Sequence, residues 1–193
     1  MTTANKVTIL RILLTPFFVV EVLYYVKNGQ ELHRILAIAS FATAAICDGV
    51  DGFIARRFNQ RSELGVILDP LADKLLLVSG IIVLSFDRQP YLQSIPLWVT
   101  VTILGRDILL VIGLGVLHMV VGKVTVRPRI LGKVGTVFQM FMLLGILLKC
   151  TWNWLDILFW GAALCTGASG LLYVWDWSQQ LSAHPSSSPN ARS

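Results

Sequence analysis

Six long apolar stretches, separated by short polar breaks, divide this chain. They run from about Val7 to Lys27, Glu31 to Arg57, Glu63 to Phe86, Ile95 to Val121, Ile130 to Lys149 and Leu155 to Trp177. Each is close to the roughly 20 residues a helix needs to cross a hydrocarbon core. The pattern predicts an all-α integral membrane protein with six transmembrane helices. The breaks carry turn and interface signals. Asn28-Gly29 is a turn dipeptide. RRFNQRS is a basic loop, and Ser62-Glu63 after it suits a helix start. DRQP at 87–90 is the next turn and KVTVRPR the next basic loop. TWNW at 151–154 reads as an aromatic turn at the membrane boundary, and Tyr173, Trp175 and Trp177 as a second aromatic belt. From Ser178 the chain is rich in Ser, Pro and Gln, so residues 178–193 are expected to be a disordered polar tail.

Composition agrees with this layout. The 193 residues are 55% hydrophobic and 14% charged, against about 25% charged in soluble domains. Six spans leave no room for a separate soluble domain. The net charge of +5 follows the loops. Lys6, Arg11, Arg56, Arg57, Arg61, Lys123, Arg127, Arg129 and Lys133 fall at one set of helix ends. The other ends offer Lys27, Arg34, Arg88 and Lys149. The positive-inside rule then places both termini on the cytoplasmic side of the cell (inner) membrane. This distribution accounts for the basic charge, so nucleic acid is not an expected partner. Arg11, Glu21 and the lack of a small-residue cleavage site mark the first apolar run as a retained helix. Glu21 is expected near the interface or beside a basic neighbour. Cys47, Cys150 and Cys165 form no metal or disulfide spacing.

The chemistry concentrates between residues 48 and 73. Asp48 and Asp51 lie three apart on the second helix, Asp69 and Asp73 four apart on the third, so each pair shares a helix face. A short loop joins the two helices, which makes them antiparallel neighbours with the two pairs at a similar depth. Ionisable groups in a membrane segment are costly and default to function. Four converging carboxylates need a positive charge between them. Hard cations with oxygen ligands, Mg²⁺ or Mn²⁺, supply it, and two such ions form a clamp suited to phosphoryl chemistry. Gly49, Gly52 and Gly65 leave room for close helix approach or for a ligand. The same four acids would also suit a divalent-cation transporter. Such a pathway gains nothing from Arg56 beside its ligands, and no internal repeat is present.

Asp48, Asp51, Gly52, Ala55, Arg56, Gly65, Asp69 and Asp73 together resemble the signature of the CDP-alcohol phosphatidyltransferases, D-x2-D-G-x2-A-R-x8-G-x3-D-x3-D. Every fixed position and every gap matches. The resemblance implies a six-helix membrane domain over residues 1–177 with a cytoplasm-facing polar cavity. It implies transfer of a phosphatidyl group from CDP-diacylglycerol to an alcohol, with release of CMP. By carry-over, Asp48, Asp51, Asp69 and Asp73 hold two metal ions, and Asp73 is also the base. Gly52 and Arg56 touch the cytidine diphosphate, with Ser62 near it. The polar stripe Asn5 and Thr8, which continues to Arg11, looks like the family's nucleotide-contacting segment. Members often form homodimers, so a second copy of the chain is an expected partner beside the membrane lipids.

The acceptor is sought on the later helices. Arg106, Arg129 and Lys133 are basic and would suit a phosphate on the alcohol. Arg106 is not expected to pair with Asp107, because neighbouring helical residues point apart. Lys133, Thr136 and Gln139 read as one stripe. Gly132-Lys133 with Thr136 and Gln139 resembles the fifth-helix pattern of the phosphatidylglycerophosphate and cardiolipin synthases of this superfamily. Gly105-Arg106-Asp107 looks more like the cardiolipin-synthase branch. Glycerol 3-phosphate is the expected acceptor, phosphatidylglycerol the alternative.

Overall fold

Helices occupy the apolar stretches in the computed structural model of the chain: α1 (Thr3–Asn28), α2 (Glu31–Phe58), α3 (Glu63–Ser85), α4 (Leu97–Val121), α5 (Ile130–Leu147) and α6 (Trp152–Ser182). The structure describes the backbone of residues 3–58, 63–86, 91–121 and 130–182, and within these the side chains except at 3–8, 48–58, 63–71, 114, 116–118, 120–121 and 180–182. Among the described residues, three helices contain a stretch long and apolar enough to cross a membrane: Ile9–Asn28, Ile130–Leu147 and Trp152–Gln179. The chain divides into two compact units, one of Met1–Pro96 with Met140–Leu155, the other of Leu97–Gln139 with Asp156–Ser193.

In the first unit α1 packs against both α2 and α3, which also touch each other. Phe18, Val22 and Tyr25 of α1 are buried, as are Ala37, Phe41 and Ala44 of α2. Both sets are spaced four and then three residues apart, which puts each on one helix face. The Phe18 and Phe41 rings meet at 5.6 Å. The opposite face of α1 is also apolar, with Leu13, Phe17, Leu23 and Tyr24 exposed. A helix apolar all round suits lipid. In lipid, helix association gains little from burial and much from close packing, which favours small residues at contacts. Gly80 of α3 shows this: a Cβ there would stand 3.1 Å from Leu143 and 3.2 Å from Phe18.

The turn at Asn28-Gly29 forms as expected. Gly29 has φ 68°, its N–H donates to the Tyr25 carbonyl at 2.8 Å, and a Cβ would strike the Tyr91 ring at 2.5 Å. Glycine is required there by conformation and by space. Glu21 is buried, and its basic neighbour is a histidine: His33 Nδ1 lies 2.7 Å from its carboxylate, with the Tyr24 ring stacked on the imidazole.

Helix α5 ends in a Schellman motif. Cys150 N–H donates to the Gly145 carbonyl (2.9 Å) and Lys149 N–H to that of Ile146 (3.0 Å), with Lys149 itself left-handed at φ 56°. Arg34 of α2 donates to the Leu147 carbonyl at 3.0 Å, filling another open acceptor of that helix end. The Lys149 ammonium donates to Glu31 at 2.9 Å and lies over the Tyr25 ring. Hydrogen bonds from Lys149 and then Arg34 lower the Glu31 pKa to about 2. Tyr25 and then Glu31 raise that of Lys149.

In the second unit, glycines again mark close approaches. A Cβ at Gly135 would lie 2.9 Å from Thr166 Oγ1, one at Gly161 2.7 Å from the Phe138 ring, and one at Gly113 2.0 Å from the Trp177 ring. Gln139 is buried and donates to Thr166 at 3.2 Å. Three sequence expectations are corrected here and at the start of α6. TWNW is largely helix: α6 begins at Trp152, with the Thr151 carbonyl accepting from Trp154 and Leu155. Tyr173 and Trp177 are buried against Leu109 and Leu110, while Trp175 is exposed. Residues four apart share a helix face and the one between them points away, so the three do not form one belt. Finally, α6 continues through Ser178 to Ser182; residues 183–193 of the expected tail lie outside the described residues.

Candidate active site

The candidate site is assembled from the first three helices. Asn5, Thr8 and Arg11 lie on α1, Asp48, Asp51, Gly52 and Arg56 on α2, Asp69 and Asp73 on α3. Helix α2 runs unbroken through Gly49 and Gly52 to Phe58, so Asp48 and Asp51 keep the i, i+3 register the sequence predicts. The helix expected to reach Arg57 ends at Phe58, so Arg56 and Arg57, also counted in the basic loop, belong to the helix. Asp69 and Asp73 keep the i, i+4 register on α3. The side chains of Asn5, Thr8, Asp48, Asp51, Gly52, Arg56 and Asp69, and the whole of Ser62 and Arg129, lie outside the described residues.

Asp73 is described, and its surroundings hold a residue that sequence reasoning placed on the polar stripe without assigning it a role. Arg11 of α1 donates from Nη2 to Asp73 Oδ1. The arginine side chain is 3% exposed, the aspartate 41%. Taking a guanidinium out of water costs several kcal/mol, roughly, unless it is paired and hydrogen-bonded. The carboxylate explains why Arg11 sits where it does. A signal was present in the sequence: an arginine inside an apolar run, three residues beyond Thr8, requires an acid. Which of four aspartates it takes is decided only by the packing of α1 on α3.

Among the described residues no group of three or more His, Cys, Asp or Glu side chains gathers into a metal site. Of the four expected ligands, Asp73 is the one whose side chain is described. It is a part-exposed carboxylate, a hard oxygen donor. As an oxygen donor, Asp73 alone is of the type that Mg²⁺ or Mn²⁺ takes.

In the second unit, Arg106 lies on α4 with its side chain 12% exposed. It donates from Nη1 to Asp107 Oδ1 at 2.8 Å and from Nε to Ser169 Oγ at 3.2 Å. Its guanidinium carbon stands 5.7 Å from the centre of the Tyr173 ring. A Cβ at Gly132 would come within 2.8 Å of Nη2. The expectation that Arg106 avoids Asp107 is therefore overturned. Cβ direction argues against the contact, but the arginine stem is long enough to curl back along its own helix. Ser169, Tyr173 and Gly132 were not singled out for Arg106 from the sequence.

Lys133 on α5 is exposed, while Thr136 is half-buried and bonded to the Gly132 carbonyl (2.9 Å). Gln139 faces Thr166 in the interior. The predicted stripe is corrected: a three-residue step falls short of the 3.6-residue turn, so two steps carry the face from the exterior to the interior. Of the three expected acceptor residues, the second unit thus encloses Arg106 and leaves Lys133 outside.

A family model described as CDP-alcohol phosphatidyltransferase matches residues 1–168. A probable phosphatidylglycerophosphate synthase of Mycobacterium tuberculosis is 39% identical over 125 residues, which cover 65% of this chain and 55% of that protein. The chain therefore spans about half the length of the mycobacterial relatives it matches. A CDP-diacylglycerol–glycerol-3-phosphate 3-phosphatidyltransferase of Aquifex aeolicus is 34% identical over 160 residues, 82% of this chain and 83% of the relative. The protein of that name from Bacillus subtilis is 32% identical over 184 residues, 88% and 91% of the two chains.

Proposed function

This chain belongs to the CDP-alcohol phosphatidyltransferase family, and we propose that it transfers the phosphatidyl group of CDP-diacylglycerol to glycerol 3-phosphate, releasing CMP. The observation that carries this reading is Asp73. The last acid of the signature is a part-exposed carboxylate on α3, paired with a buried arginine from α1. The names of the Aquifex and Bacillus relatives supply the acceptor.

In this reading the acceptor hydroxyl attacks the phosphorus that bears the diacylglycerol. A new P–O bond forms there and the P–O bond to CMP breaks. Asp73 takes the hydroxyl proton as general base. Asp48, Asp51, Asp69 and Asp73 would hold two Mg²⁺ or Mn²⁺ ions, whose contribution is to neutralise the pyrophosphate and the departing CMP. Arg56 offers a planar donor fork to phosphate, and Asn5, Thr8, Gly52 and Ser62 contact the nucleotide end of the donor. Arg106, Arg129 and Lys133 are assigned to the acceptor phosphate. All six helices cross the cell membrane, with termini and site on the cytoplasmic side, as the loop charges favour. The functional protein is a homodimer in this reading.

The test is an acceptor screen on purified protein with labelled CDP-diacylglycerol. Glycerol 3-phosphate should drive CMP release and yield phosphatidylglycerophosphate. Turnover with phosphatidylglycerol alone would replace this acceptor by the cardiolipin-forming one. Absence of CMP release with glycerol 3-phosphate, phosphatidylglycerol, serine and inositol phosphate would sink the transferase reading.

A further inference from the structure

Arg11 has no task in the chemistry set out above, yet its position is tightly constrained. It is buried on α1, about two helical turns before Phe18, Val22 and Tyr25 begin the buried apolar face of that helix. The Thr15 hydroxyl bonds to its carbonyl at 3.0 Å. Its guanidinium reaches across to Asp73 on α3. Asp73 is the part-exposed partner, so apolar packing alone does not fix its carboxylate. A planar guanidinium with its donors in a rigid fork fixes direction as well as charge. Carboxylates that ligate metals depend on such hydrogen-bonded neighbours, and losing one costs about 10- to 100-fold in metal affinity or activity.

We propose that Arg11 is a positioning residue, whose buried guanidinium holds the Asp73 carboxylate in the orientation in which it serves as ligand and base. This rests on the roles given to Asp73 above. It makes α1 part of the catalytic apparatus through a neighbour of the acid, in addition to any contact that Asn5 and Thr8 make with the nucleotide.

The test uses the full chain in detergent, with Mn²⁺ as the probe. Binding of Mn²⁺ to the substrate-free protein is followed by loss of the free-ion EPR signal, and CMP release is measured separately. Arg11→Gln should weaken Mn²⁺ binding about 10- to 100-fold and lower kcat by a similar factor, while the donor KM stays within about threefold. Arg11→Lys keeps the charge without the fork and should remain about tenfold below the unsubstituted chain. In the Asp73→Asn background, Arg11→Gln should add less than about twofold, because residues acting through one another are not additive. Unchanged Mn²⁺ binding and kcat in both Arg11 variants, even with a lower thermal midpoint, would overturn the proposal. So would full additivity with Asp73→Asn. Should Arg11→Gln not fold, Arg11→Lys decides: values equal to the unsubstituted chain refute the positioning role. Failure of the transferase reading is distinguishable, since the unsubstituted chain would then release no CMP while the Mn²⁺ measurement still tests the Arg11–Asp73 link.

Discussion

Two arginine–aspartate pairs, one in each unit, are built in opposite ways. Arg11 and Asp73 stand 62 residues apart and bring two helices together. Arg106 and Asp107 are neighbours in the chain and close on themselves. In the first pair the cation is buried and the acid is part-exposed; in the second both are enclosed, at 12% and 15%. The first leaves its carboxylate part-exposed. The second has most of its charge cancelled locally, with Ser169 and Tyr173 bracing the guanidinium. A long-range pair transmits the packing of one helix to the chemistry of another. A local pair offsets charge within a single helix.

That contrast orders the expected effects. Asp73→Asn and chelation both act on the exposed acid. The substitution should cut CMP release by about 100- to 10,000-fold, the size of a general-base contribution. A chelator should abolish it, with recovery on adding Mg²⁺ or Mn²⁺. Normal turnover under either treatment would remove the distinction between the pairs. Breaking the second pair should be milder and selective for the acceptor. Arg106→Gln should lower kcat/KM for glycerol 3-phosphate by about 10- to 100-fold, as loss of a charge-assisted hydrogen bond worth roughly 1.5–3 kcal/mol predicts, with the donor KM little changed. An equal effect on both substrates would argue that Arg106 braces the unit and does not read the acceptor. Lys133→Ala comes lower still, because an exposed ammonium is screened. It should raise the acceptor KM only a few fold, roughly, and an unchanged KM would return Lys133 to a loop charge.

The smallest effect belongs to a third ion pair, Glu31 with Lys149. Glu31 has its pKa lowered from 4.5 to about 2. A depressed carboxylate stabilises the folded chain above its ordinary pKa and loses that contribution as pH falls through the folded value. The thermal midpoint of the unsubstituted chain should therefore exceed that of Glu31→Gln by a constant margin above about pH 4.5, and the margin should shrink to nothing towards pH 2. A margin that persists at the acid end would show that it does not come from the ionised Glu31 carboxylate.

The sequence located the helices because apolar runs and turn dipeptides are local signals. Asn28-Gly29 carries its own reason in the left-handed backbone. Boundaries failed where a local signal had two meanings, as with TWNW, whose tryptophans suit both an interface and a first helical turn. The candidate acids were legible because their spacing is a property of one helix at a time. Partners were not. Arg11 could have taken any of the four aspartates, and the basic neighbour expected for Glu21 is His33, twelve residues on, which no local signal named. The Arg106–Asp107 contact depends on how a long side chain bends, which Cβ direction does not capture. The stripe of Lys133, Thr136 and Gln139 failed through arithmetic, since a step of three drifts around the helix.

The discontinuity of the first unit has a consequence for how the protein is made. Ribosomes deliver Glu31 118 residues before Lys149, an interval of about 6–24 s at roughly 5–20 residues per second. During that time Gly80 and Phe18 await Leu143, and Arg34 has no Leu147 carbonyl to bind. The half of the protein that carries the signature is translated first and completed last. Its assembly must wait for residues 140–155 to be made. A nascent chain stalled before Met140 would hold every aspartate of the motif without the segment that finishes their unit.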